Sequence, residues 1–241
     1  MTKAAKAAVR TGTATATAFG GFDRKAMQFW HELAAEMNRE WFLENKERYE
    51  TQWLRPMTAL LAGASARLAP AYRGVKLGAP RVMRINRDIR FSKDKSPYKT
   101  WIGGGVSLGE RKPNEGVTAL YVHFGVDAEF SGAGQYVFVG DTLTRWRRKL
   151  DDKVKGPEIA KIVAGLRKAK YQVTAYDELV RVPRPYAADH PRADLLRMKG
   201  LVIGFPAIPR GLIHRPELVG WLVGHAKAAA PLATWLYRNL R

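Results

Sequence analysis

Between positions 81 and 99 the chain gathers cationic side chains in a pattern suited to holding an anion. Arg81, Arg84, Arg87, Arg90 and Lys93 recur at every third residue, with Asp88 and Asp94 as the only acids among them. A carboxylate between two arginines fixes their rotamers through charge-assisted hydrogen bonds and leaves other guanidinium N–H donors free, a common way of organising a phosphate or carboxylate site. The same residues also describe an internal salt-bridge network that only holds its own strand in place. Both readings stand on the sequence.

The backbone decides what the spacing means. In a helix each step of three residues falls about 60° short of a turn, so Arg81 and Arg90 would face apart. A polyproline-like segment would align all five cations. An extended strand alternates instead, placing Met83, Ile85, Ile89 and Phe91 on one face and Arg84, Asp88 and Arg90 on the other. That segregation predicts a strand over 81–91. Arg87 then falls on the apolar face, where a bulge re-aims it or a partner accompanies its burial. Downstream, 92–99 is a turn-forming segment with donors in Ser92, Lys93, Lys95 and Lys99. The candidate anion site is therefore Arg84, Arg87, Arg90 and Lys95, flanked by Tyr98 and organised by Asp88 and Asp94. Gly103, Gly104 and Gly105 match neither a P-loop nor a dinucleotide fingerprint, and a bulged strand or tight turn is expected there.

These residues carry a resemblance. The pattern Arg84-x-x-Arg87-Asp88-x-Arg90-Phe91-x-x-Asp94-Lys95-x-x-Tyr98, with Asn38-Arg39-Glu40-Trp41-Phe42 and Tyr49 upstream, resembles the bacterial and fungal family catalogued as domain of unknown function 2461. The likeness extends to Gly134, the helix from Leu143 to Arg147, and Tyr186-Ala187-Ala188-Asp189-His190-Pro191, covering nearly all of the chain after residue 18. It implies a shared motif and transfers no mechanism.

Other chemistries find less support. With no Cys, thiolate nucleophiles, disulfides and zinc-thiolate sites are excluded. The five histidines show no metal-ligand spacing, so no metal is expected, and no cofactor is specified. His123, on a strand face with Val117, Ala119 and Tyr121, reads as a hydrogen-bonded core histidine rather than a ligand. No nucleophile elbow occurs. No catalytic residue is assigned; were a reaction involved, Asp94, Lys95 and His190 are the candidates for proton transfer, although His190 reads first as a turn cap.

The net charge of +19 is unevenly spread. Residues 71–100 hold nine basic against two acidic side chains and residues 141–170 hold ten against four, together 13 of the 19. A helix starting at Asp141 would set Arg145, Arg148 and Lys149 opposite an apolar ridge. Beside the 81–99 motif, it would complete a groove for a nucleic-acid backbone. An anionic small molecule or a nucleic acid is thus the expected partner, and a structural protein meeting an acidic surface is the third reading. No apolar run is long enough to span a membrane, and the composition suits the cytoplasm.

The elements that must position these side chains follow from periodicity. Residues 1–18 read as a flexible basic tail and 19–241 as one α+β domain. Asp23 is the expected cap of a helix ending near Asn38, and a second helix carries Phe42, Tyr49, Trp53, Met57, Leu60, Leu61, Ala64 and Leu68 on one ridge, kinked or restarted at Pro56. Strands are expected at 81–91, 100–108, 116–126 and 135–139, then near 171–175 and 201–208, giving a mostly antiparallel sheet. Asp141 and Pro157 open two helices, a short one lies near 194–198, and a closing helix over 217–241 is interrupted at Pro231.

Overall fold

The computed structural model describes residues 18–110 and 116–241, so the tail expected over 1–18 lies, apart from its last residue, outside the described residues. The N-terminal helices form where apolar periodicity and capping coincide. Asp23, the expected cap, does not cap α1 (Ala26–Glu36), which Lys25 precedes without a side-chain cap; Asp23 accepts the Lys25 N–H at 2.6 Å in the turn before the helix. Met37 closes that helix in the left-handed region, and the Asn38 side chain accepts the Trp41 N–H at 2.8 Å to cap α2 (Arg39–Glu44). α3 (Lys46–Tyr49) runs into a π turn at Glu50–Leu54 and then α4 (Arg55–Leu68). Pro56 lies in the first turn of α4, and the widened turn before it relieves the clash a proline ring makes with the carbonyl four residues back. The whole expected ridge from Phe42 to Leu68 is buried.

Six strands follow: β1 (Arg81–Val82), β2 (Trp101–Ser107), β3 (Thr118–Gly125), β4 (Glu129–Gln135), β5 (Gln172–Thr174) and β6 (Leu201–Gly204). They form one antiparallel sheet in the order β1-β2-β3-β4-β6-β5, completing an α+β fold. Between β4 and β5 lie α5 (Asp141–Asp151) and α6 (Lys155–Lys168); α7 (Ala193–Arg197) precedes β6, and α8 (Leu218–Asn239) closes the chain.

Several expectations are corrected. The strand over 81–91 ends after Val82, the last residue in register with β2; Met83 N–H still reaches the Gly103 carbonyl, and beyond it the chain pairs with its own return at Asn86 and Tyr98. The strand expected at 135–139 lies instead at Glu129–Gln135, through a Ser-Gly-Ala-Gly run whose ladder is supplied by β3 and β6 rather than by local propensity. Asp141 makes no side-chain cap; Gly140, with φ 51°, precedes α5 in its place. α8 continues through Pro231 because Leu222, Val223, Ala226, Ala230, Leu232, Ala233 and Leu236 hold one face against the core on both sides of the proline.

Among the described residues, helices pack on one side of the sheet. Ile102, Val106, Leu120, Val122, Phe124, Ala133, Leu201 and Ile203 are buried, and α4 and α8 pack against the sheet. Gly104 permits that approach: a Cβ there would sit 2.7 Å from both Leu61 Cδ1 and the Arg81 carbonyl. The three glycines therefore lie inside a strand, and the irregularity in β2 falls later, between Val106 and Ser107. Trp101, Tyr121, His123 and Phe130 point to the other side and keep partial exposure. Among the described residues no helix is long and apolar enough to cross a membrane.

Candidate anion-binding site

Beyond Val82 the motif becomes a loop on the β1 edge of the sheet, held at its base by its own return. Met83 N–H donates to the Gly103 carbonyl, Arg87 N–H to Pro97 and Lys99 N–H to Ile85, each within 3.0 Å. Tyr98 is buried with its ring stacked on Phe42 at 4.4 Å, tying the returning strand to α2. The alternation expected of a strand survives up to Ile89: Ile85 is buried and Arg87 and Ile89 half-buried, while Arg84, Asn86, Asp88 and Arg90 are exposed. It fails at Phe91, expected on the apolar face but 95% exposed, because the chain turns where Ser92 N–H meets the Ile89 carbonyl. The Arg90 guanidinium lies 5.8 Å from the Phe91 ring centre.

Each carboxylate holds one arginine. Asp88 receives Arg90 Nε at 2.9 Å and Nη2 at 2.8 Å in a two-point pairing. Asp94 accepts from Arg87 Nη1 and from both the N–H and Oγ of Ser96. Arg87, the misfit of the alternation, is thus half-buried with a partner. Hydrogen bonds from Arg90, with Arg84 adding a smaller attraction, hold the Asp88 carboxyl down at about 2. Those from Ser96 and then Arg87 do the same for Asp94, at about 2. Both stay ionised until the pH falls well below the ordinary carboxylate range.

The remaining cations are placed differently. Lys95 Nζ donates to the Ile89 carbonyl at 2.9 Å across the loop. Lys99 Nζ donates to the Arg84 carbonyl at 2.6 Å and lies 4.7 Å from the Trp101 ring centre; its pKa is lowered by burial and then by Arg84. The Arg84 and Lys93 side chains make no hydrogen bond or ion pair with a described residue. Lys99 was noticed in the sequence only as one turn donor among several, and its junction with Trp101 had no local signal.

The second basic stretch lies elsewhere. α5 packs mainly on α6, α7 and α8. Arg145 donates to the Leu240 carbonyl at 3.4 Å and approaches Asp141 at 4.0 Å; Arg148 is exposed and Lys149 half-buried. His190 accepts the Arg192 N–H at 3.1 Å and faces Asp151 of α5 at 3.4 Å, so it caps a turn and ties the crossing before α7 to α5.

Through Trp101 the loop touches a titratable ring. His123 is 4.6 Å from Trp101, and its Nδ1 is 3.4 Å from Tyr121 Oη. Burial lowers its pKa to about 4, against a weaker opposing pull from Asp127. An unfolded chain titrates this imidazole near 6.5. As pH falls from about 6.5 to about 4, the unfolded state takes up a proton that the folded state refuses, so stability drops across that window and levels off below it. Partial exposure discounts the loss to about 1–2 kcal/mol. In urea unfolding at pH 7, 5.5 and 4, His123→Phe is expected to keep the ring packing and lose this part of the acid sensitivity; an unchanged pH profile would contradict the assignment.

Fold and loop together define an α+β chain with an antiparallel sheet packed on α4 and α8 and, on its β1 edge, a basic loop braced by two carboxylates. The chain belongs to the family described as Conserved hypothetical protein (DUF2461), whose model matches residues 25–235. No curated protein and no solved structure matches it.

Proposed function

We propose that the 84–99 loop binds an anion carrying a phosphate or carboxylate group. One observation carries the reading: six cations share the loop with two acids, and those acids are spent on Arg87 and Arg90 while Arg84 and Lys93 keep their donors. Exposed ion pairs contribute little to stability, so holding a fold is a weak reason for this arrangement. Like charges crowded on one loop repel, and a bound anion relieves that repulsion. Each paired guanidinium still has N–H donors to offer outward, since Asp88 engages two nitrogens of Arg90 and Asp94 one of Arg87. Lys95 and Lys99 fix the loop backbone, and Tyr98 anchors it to α2.

Titration with pyrophosphate, followed by calorimetry, tests this. Arg84→Ala and Arg90→Ala are each expected to weaken binding about tenfold or more, since hydrogen bonds to charged groups are worth roughly 1.5–3 kcal/mol, with the thermal melt unchanged. Undiminished binding in the double variant would overturn the site. Loss of folding in that variant would favour the internal salt-bridge network.

A further inference from the structure

The face of the sheet turned away from α4 and α8 carries an ordered set of aromatic rings that the anion site alone does not explain. His123 on β3 stands directly opposite Phe130 on β4 and Gly103 on β2, with Trp101 two residues along β2. The His123 and Phe130 rings stack at 4.5 Å and 16°, and Trp101 adjoins His123 at 4.6 Å. Both separations match the roughly 4.8 Å between neighbouring strands, so the rings form one row across three strands. Lys99 Nζ heads the row at Trp101, and Phe130, 48% exposed, ends it.

Beside this row runs a second register line of three glycines and Tyr121, in which Gly105 and Gly132 are buried and Tyr121 and Gly204 are partly exposed. Gly105, Tyr121, Gly132 and Gly204 oppose one another across β2, β3, β4 and β6. Glycine weakens a strand unless close approach is needed. At Gly103 the rings of Trp101 and Tyr121 supply that need, since a Cβ would lie 2.9 Å and 2.7 Å from them. At Gly204 an added Cβ would meet nothing nearer than 3.5 Å, so the sheet itself does not demand a glycine there. Beyond Gly132 and Gly134 on β4 comes Tyr136, whose ring lies 4.6 Å from Tyr176; the two are 49% and 67% exposed. Exposed rings thus stand toward both ends of β4, Phe130 at one and Tyr136 with Tyr176 at the other, and Phe130 is joined through His123, Trp101 and Lys99 to the cationic loop.

Aromatic rings carried on an open sheet face are how unpaired bases are gripped without sequence preference, with a basic track for the backbone beside them. A neutral planar ligand would match the rings and leave the cations unanswered, whereas a duplex would bury its bases away from the rings. We propose that this face is a stacking platform for single-stranded nucleic acid, with bases against the Phe130 and Tyr136–Tyr176 rings and phosphates against Lys99 and Arg84. The proposal rests on the anion reading of the 84–99 loop and names the polymer that supplies the phosphates.

Fluorescence anisotropy of the full chain with labelled oligo-dT and oligo-U, and with a duplex of equal length, tests it. Single strands are expected to bind more tightly than the duplex. Phe130→Ala and Tyr176→Ala should each weaken them about fivefold or more, and Phe130→Tyr should restore most of the loss. The slope of affinity against salt should stay the same in these variants and become shallower in Arg84→Ala, which removes a phosphate contact. Equal binding of duplex and single strand, or no binding of any strand, overturns the platform. Strand binding that falls in Arg84→Ala but ignores both aromatic substitutions overturns the platform and leaves the anion site standing. Sensitivity to the aromatic substitutions without sensitivity to Arg84 or Arg90 keeps the platform and removes the loop from it.

Discussion

Trp53→Ala is expected to destabilise the protein by about 3–5 kcal/mol, the range for deleting a large aromatic side chain from a packed interior. Trp53 is fully buried in the π turn, and its indole N–H donates to the Ala26 carbonyl at 3.0 Å. Its ring touches Phe22 and Trp30 at 5.1 and 5.3 Å and approaches Phe124 of β3 at 6.4 Å. The truncation therefore opens a cavity where the N-terminal helices meet the sheet and removes the indole's buried hydrogen bond to the Ala26 carbonyl. Trp53→Phe, which keeps a ring and loses only the donor and some volume, is expected to cost distinctly less. Urea unfolding of both variants checks the order, and a loss below about 1 kcal/mol for the alanine variant would contradict this packing. The consequence reaches the candidate site, because α2, which anchors Tyr98 through Phe42, enters the core beside this cluster.

Gly134→Ala is expected to be the most damaging single methyl addition to the sheet. Gly134 has φ 121°, a region costly for any residue with a side chain, and an added Cβ would lie 2.2 Å from the Leu201 carbonyl. Its neighbours there are backbone atoms of β6, which cannot move aside as a flexible side chain can. Backbone strain alone costs roughly 1–3 kcal/mol, and parting β4 from β6 adds the lost ladder bonds, for an expected total of about 3 kcal/mol or more. Hydrogen exchange should show β6 amides losing protection before those of β2. A variant as stable as the parent would mean that the β4–β6 pairing shifts freely. Phe130 lies on this strand and Tyr136 directly follows it, so the single-strand binding proposed for this sheet face should fall together with the ladder.

Where the deciding contacts are local, the sequence was legible. The buried ridge from Phe42 to Leu68, the Asn38 break, and the helices at Lys155–Lys168 and Ala193–Arg197 follow from neighbours three or four residues apart and from capping groups. The candidate loop was legible as a concentration of charge, and the placing of Asp88 with Arg90 followed from their two-residue separation. The pairing of Arg87 with Asp94 was not, because it depends on how the loop returns seven residues later.

Strands show the contrast most clearly. Residues 81–91 alternate as a strand should, yet most remain a loop, because pairing with β2 reaches no further than Met83. Residues 129–135, with two glycines and a serine, form a central strand because β3 and β6 lie on either side. A strand is completed by hydrogen-bond partners distant in sequence, and no local pattern reports whether they are there.

By itself the sequence determined that helices flank an antiparallel sheet, that the positive charge is concentrated, and that the 84–99 motif marks the segment worth attention. Only the tertiary structure decided that this motif is a loop on the sheet edge, that α5 packs on α6, α7 and α8, and that Trp101, His123 and Phe130 stand in a row on the sheet face turned away from α4 and α8. The reason is physical: helix periodicity and charge are properties of neighbouring residues, whereas strand pairing and the exposure of a face are set by segments far apart in the chain.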